Sequence, residues 1–136
     1  MIWFEVVKKR RKLCRAARNP VMEWHVAHGW AYHVWQYDAA GRGRIIGGFY
    51  VTLLCGDGGV LHFDCYDRET AACPAVLLAA MRKGLRIVEP HLSLMMATIP
   101  AELPGLIAVV CRMGFRETGD FDRDGRKIRL LKYFRP

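Results

Sequence analysis

Apolar residues recur along this chain in two rhythms, and glycine or proline marks where one gives way to the other. Residues 2 to 18 lack both punctuating residues and place apolar side chains near Trp3, Val6, Val7, Leu13 and Ala17. That spacing predicts a helix, interrupted at Arg10 and stopped by Asn19-Pro20. Residues 21 to 30 leave more than one reading open, a short second helix among them. From Ala31 to Asp38, β-branched and aromatic residues predict a strand, and the Gly-rich residues 39 to 43 a turn. Residues 44 to 55 and 59 to 66 predict two more strands joined by the Gly-Asp-Gly-Gly turn, with a bulge at Gly47-Gly48. Pro74 suits the first position of a helix, and Val76, Leu77, Ala80, Met81, Gly84 and Ile87 then repeat at helical spacing until Glu89-Pro90. Residues 91 to 100 predict a buried strand, and residues 104 to 113 a short helix closed by Gly114. A last hairpin is expected about Asp124-Gly125.

At 136 residues the chain is long enough for one domain with its own core, and 52% hydrophobic with 25% charged residues is a globular rather than a disordered balance. No apolar stretch approaches the roughly 18 residues that span a bilayer. The basic run follows the first apolar segment, the reverse of a secretory leader, so a cytoplasmic protein that does not bind membranes is expected. Five separated cysteines (Cys14, Cys55, Cys65, Cys73 and Cys111), with no Cys-x-x-Cys pair, argue against a disulfide framework and a zinc site; reduced and mostly buried thiols are expected. The net charge of +8 is concentrated: the first 20 residues carry seven basic side chains against Glu5.

The order of the elements, with Gly114-Phe115 between the last helix and the last hairpin, resembles the GNAT superfamily of acyl-CoA-dependent N-acyltransferases. Residues 94 to 119 look like its strand, short helix and Gly-Phe strand, and residues 45 to 54 like its third strand. His62 on the fourth strand adds a likeness to a phage-associated branch. The resemblance implies a mixed α/β (α+β) fold: a mostly antiparallel sheet of about six strands, flanked by helices and splayed between the fourth and fifth strands. It implies acetyl-CoA as cosubstrate. Its pantetheine arm would pair with Phe63 to Cys65, and its pyrophosphate would meet Arg68, Ala71, Ala72 and Cys73 ahead of the next helix. Arg68 matches the family pattern there, while Ala71 and Cys73 stand where it has small residues, usually Gly. Val110 stands where the family often has a Tyr that protonates the leaving thiolate, and Leu103 where it often has an Asn.

His62 and Asp64, two apart on a strand, project to one face with Tyr66 beyond. A neutral His62 could take a proton from an amine while Asp64 orients the ring or attracts the amine; a solvated strand face is the plainer alternative. Cys73 at a helix start could be a reactive thiol or a structural one. His25, His28 and His33 are spaced for neither a helical metal face nor a known ligand motif, so loop or core positions are expected, and Trp24, Trp30 and Trp35 are expected in the core or a pocket wall. Residues 8 to 12 could contact phosphates of nucleic acid, though a solvated helix face is favoured. The expected function is acyl transfer to an unidentified small-molecule or peptide amine. The alternative is a non-catalytic module of the same fold that binds protein or nucleic acid, and a homodimer is also compatible with the sequence.

Overall fold

Seven strands hydrogen-bond into one sheet in the order β1-β2-β3-β4-β5-β7-β6 in the computed structural model, which describes residues 1–8, 12–28, 30–54 and 56–134. The strands are β1 (Ile2–Val6), β2 (Trp30–Tyr37), β3 (Gly43–Leu53), β4 (Gly58–Cys65), β5 (Leu94–Pro100), β6 (Phe115–Arg123) and β7 (Arg126–Tyr133). Four helices accompany them: α1 (Pro20–His28), α2 (Arg68–Ala71), α3 (Pro74–Val88) and α4 (Pro104–Arg112). All neighbouring strands run antiparallel except β4 and β5. The expected α+β architecture is therefore present. None of the described helices is long and apolar enough to cross a membrane.

The helix expected over residues 2–18 is not formed. Ile2–Val6 is instead an edge strand, paired antiparallel to β2 from Ile2 opposite Gln36 to Val6 opposite Tyr32. Its apolar positions also alternate, and β2 supplies a partner for its main chain, which an isolated helix would lack. Phe4 turns into the core while Trp3 and Val6 stay exposed. Helical geometry returns only as a single 3-10 turn at Arg15–Ala17. The sheet consequently has seven strands rather than six. Lys9, Arg10 and Arg11, the centre of the expected basic helix face, lie outside the described residues, as does Cys55.

The two faces of the sheet bury different sets of residues. On one, α3 and α4 cover Phe4, Val34, Phe49, Val51, Met95, Ile99, Phe115 and Leu131. On the other, Val7, Leu13, Ala17, Ala31 and Tyr50 pack together with Val26 of α1. α3 begins at Pro74, where the missing N–H costs no helical hydrogen bond, and buries Ala80, Gly84, Leu85 and Val88. Gly114, with φ of 108°, takes the chain from α4 into β6, and Phe115 plugs the core beside Tyr133 with ring centroids 5.4 Å apart. The final hairpin turns at Asp124 and Gly125, both at positive φ.

Glycine shapes β3 as the sequence suggests. The pairing with β2 slips between Val34 and Trp35, leaving Ile46 as the extra residue immediately before Gly47. A Cβ on Gly47 would lie 2.3 Å from the carbonyl oxygen of Asp64, so β3 and β4 approach here closer than any side chain allows.

Candidate functional site

The parallel contact between β4 and β5 is brief. It runs from Gly58 opposite Leu94 to Val60 opposite Met96 and then stops. Beyond that point β5 pairs only with β7, and β4 only with β3. Main-chain direction alternates along a strand, and two bonds fix its phase in β4: Leu54 N–H donates to Gly58 C=O, and Tyr66 N–H donates to Ile46 C=O. Even-numbered residues of β4 thus bond to β3. The odd-numbered residues point the other way: Leu61 N–H still reaches β5 at the last parallel pair, while Leu61 C=O and the N–H and C=O groups of Phe63 and Cys65 face the side that β5 has left.

A cleft of about 240 Å³ occupies this gap, lined among others by His62, Phe63, Asp64, Met81, Thr98 and Val110. Because alternate residues of β4 face opposite sides of the sheet, the cleft has an apolar wall on the α3 and α4 side and a polar wall on the α1 side. Val110 is buried in the apolar wall and carries no dissociable proton. Leu103 is the residue preceding α4 and is exposed.

The polar wall is a cluster of side chains from α1, β3 and β4. The hydroxyl of Thr52 lies 2.5 Å from Nε2 of His25 and 3.1 Å from Nε2 of His62. A hydroxyl has one proton, so it can donate to one ring and accept from the other. Tyr50 stacks on His62 with centroids 4.7 Å apart and planes 15° from parallel, and its own hydroxyl bonds the Asp64 carboxylate. Burial is the main reason His62 is pushed down to about 4, with the electrostatic influence of the neighbouring His25 and Arg123 side chains as smaller causes. Its imidazole is therefore neutral near pH 7. Burial raises the Asp64 carboxyl, against the hydrogen bond from Tyr50, and raises the Tyr50 and Tyr66 phenols.

The segment after β4 is a short helix rather than the expected loop. Asp67 caps it: its Oδ1 accepts from Thr70 N–H at 2.6 Å, and its Oδ2 is held by Arg44 Nη1 at 3.0 Å. Ala71 N–H donates to Asp67 C=O, Ala72 N–H to Arg68 C=O, and Cys73 N–H to Thr70 C=O. Pro74 has no N–H. The capping bond and the Arg44 ion pair keep the Asp67 carboxyl below its ordinary range. At the end of β4, then, a strand edge and cleft lie open, while the main-chain donors of Thr70, Ala71, Ala72 and Cys73 are engaged within the segment that follows.

His62 and Asp64 share one face as their spacing predicts, and Phe63 and Cys65 present their main chain to the gap. Arg68 is exposed, Ala71 and Ala72 are exposed, and Cys73 is half-buried at the entrance of α3. Tyr50, Thr52 and His25 complete the cluster and were not anticipated. Of the other predicted residues, His33 is buried between Glu5 Oε1, at 2.9 Å, and Cys14 N–H, a structural role. His28 has no described side chain, and Trp24 is exposed rather than in the core. Cys14 and Cys65 are half-buried and Cys111 is exposed, so the thiols are less buried than expected. Among the described residues no group of histidine, cysteine or acidic side chains could hold a metal.

A mostly antiparallel sheet that opens beside its one parallel pair, with a helix beginning where the opened strand ends, is the GNAT-like fold. The chain is similar to the IAA acetyltransferase from Bacillus cereus ATCC 14579, with a TM-score of 0.75 and 11% identity over 98% of this chain and 99% of that one. It is also similar to a Bacillus subtilis acetyltransferase solved in complex with CoA, with a TM-score of 0.64 and 11% identity over 98% of both chains. A chimera built on the Vibrio cholerae spermidine N-acetyltransferase gives 0.65 and 14% over 97% and 94%. No protein-family model and no curated protein matches the sequence. At these identities the likeness is one of fold.

Proposed function

We propose that the protein transfers an acyl group, most simply acetyl, from a pantetheine thioester to an amine. The observation that carries this reading is the cleft itself: free main-chain groups of β4 along a gap whose polar wall holds His62 and Asp64 of the same strand. The acyl-transferase neighbours support it. An arm laid along Leu61, Phe63 and Cys65 would complete the strand's hydrogen bonds and bring its thioester beside His62. Main-chain N–H groups of β4 would then stabilise the oxyanion that forms on the carbonyl.

The amine nitrogen attacks the thioester carbon, the C–N bond forms and the C–S bond breaks. Asp64 attracts the incoming amine, and His62 takes the proton that the nitrogen sheds. An imidazole with so low a pKa holds a proton poorly, so it serves better as a relay than as a store. Thr52 provides the relay, since its hydroxyl joins His62 to His25. The sulfur departs as a thiolate, which at a thiol pKa of about 8.5 needs no acid at its side, and takes its proton from water. Val110 is no obstacle to that course.

Amine-dependent thiol release, followed with acetyl-pantetheine and acetyl-CoA against polyamines, amino acids and short peptides, tests the reading. Release that requires both the thioester and one class of amine supports it, and release no faster than without protein ends it. Replacing Thr52 with Val keeps the shape but breaks the relay. That variant is expected to lose about tenfold in kcat with KM little changed. An unchanged kcat would remove Thr52 and His25 from the proton path.

A further inference from the structure

Four consecutive main-chain donors between β4 and α3 are closed to a diphosphate. Main-chain N–H groups grip such an anion only if they are vacant, and here those of Thr70, Ala71, Ala72 and Cys73 all donate within the segment. The next residue, Pro74, has none to offer. The Asp67 carboxylate takes the Thr70 donor at 2.6 Å, the position an anion would otherwise fill, and Glu69 adds a second negative charge that is 86% exposed. Arg44 is committed to these acids, 3.0 Å from Asp67 and 3.9 Å from Glu69. Among the described residues of the segment, Arg68 alone is a cation with no ion pair, exposed at the start of α2. One guanidinium matches one phosphate. The cleft, at about 240 Å³, is of a size that suits an acyl arm.

We propose that the acyl donor is recognised through its arm and a single phosphate, so that a 4′-phosphopantetheine thioester, free or carried on a protein, serves as donor and the nucleotide half of coenzyme A is dispensable. The inference rests on the cleft being the thioester site. It goes beyond it in naming what the donor need not have. A phosphopantetheine arm ends in one phosphate, which the exposed Arg68, three residues beyond the end of β4, can meet without displacing the Asp67 cap.

Calorimetric titration of the full chain with CoA, 4′-phosphopantetheine, pantetheine and 3′,5′-ADP tests the proposal without requiring turnover. The expected result is CoA and 4′-phosphopantetheine binding within about threefold of each other, with 3′,5′-ADP giving no saturable heat. Replacing Arg68 with Ala should weaken 4′-phosphopantetheine by about tenfold and leave pantetheine unchanged. CoA binding about tenfold or more tighter than 4′-phosphopantetheine, saturable 3′,5′-ADP, or no binding by any compound bearing the arm each overturns the proposal. The expected binding pattern without amine-dependent thiol release from acetyl-phosphopantetheine would sink acyl transfer and leave the donor assignment standing. Acetyl loaded on an acyl carrier protein then separates the two sources. A kcat/KM about tenfold or more above that of free acetyl-phosphopantetheine assigns the carrier, and a smaller ratio assigns the free thioester.

Discussion

Replacing His62 with Ala is expected to lower kcat/KM for acyl transfer by about 10²-fold or more while the protein remains folded. The ring lines the cleft, stacks on Tyr50 and bonds to Thr52, so its loss removes both the proton acceptor and the entry to the relay. A loss below about threefold would exclude His62 from the chemistry, and a soluble protein with wild-type thermal unfolding is the control that makes the loss informative. The same side chain carries a pH signature. His62 titrates near 4 when folded and near 6.5 when unfolded, so the unfolded chain binds more protons between those values. Its contribution to stability is complete above about pH 6.5 and is lost as the pH falls towards 4, by an amount on the order of 2 to 3 kcal/mol. Asp64 acts with the opposite sign: burial raises its carboxyl above 3.8, so its share is present at lower pH and is lost as the pH rises through the folded value. Comparing wild type with His62→Gln isolates the first effect, and the variant should lose less stability between pH 6.5 and pH 4. Parallel acid curves for the two proteins would show that His62 is not buried in its neutral form.

Replacing Gly47 with Ala is expected to destabilise the protein by about 1 to 3 kcal/mol and to lower transfer as well. The added methyl would meet the Asp64 carbonyl oxygen at 2.3 Å and the tip of the Phe63 ring at 3.3 Å. A flexible side chain could move aside. Main chain does so only by shifting a paired strand. The shift therefore falls on β4, the strand that carries His62 and Asp64 on one face and Phe63 and Cys65 towards the gap. Denaturant unfolding together with kcat/KM measured well below the transition separates the two effects. Full stability and full activity would mean that β3 and β4 are not in the close contact described.

Turn chemistry made most of the architecture legible in the residues. Gly56-Asp57 turns the chain from β3 into β4, Pro74 starts α3, Gly114 closes α4, and Asp124-Gly125 turns the last hairpin, each by a local backbone preference that tertiary context did not override. The first 18 residues misled because Trp3, Val6, Leu13 and Ala17 satisfy a helical period while Ile2 and Phe4 satisfy an alternating one. The choice was made by β2, whose pairing with Ile2 lies more than thirty residues away in the chain. The capped helix at Asp67 did have a local signal, an Asp ahead of a run without Gly, yet the likeness to a phosphate-binding loop pointed elsewhere.

The site divides along the same line. His62 and Asp64 follow from alternation alone. Tyr50 and Thr52 could have been reached by counting back through the hairpin turn, because the turn sets Tyr50 opposite His62. His25 had no such signal. It joins the cluster because α1 docks on β3, a contact decided by the packing of Val26, Tyr50 and the N-terminal segment rather than by any pattern in residues 20 to 28.

The parting of β4 from β5 also makes that strand a two-colour reporter of its own occupancy. Amide protons of His62 and Asp64 are shielded by β3 and should exchange slowly with deuterated solvent, while those of Phe63 and Cys65 face the gap and should exchange fast. Whatever molecule lies along β4 will slow the odd-numbered set and leave the even-numbered set as it was, so the alternation itself will vanish when the cleft is filled.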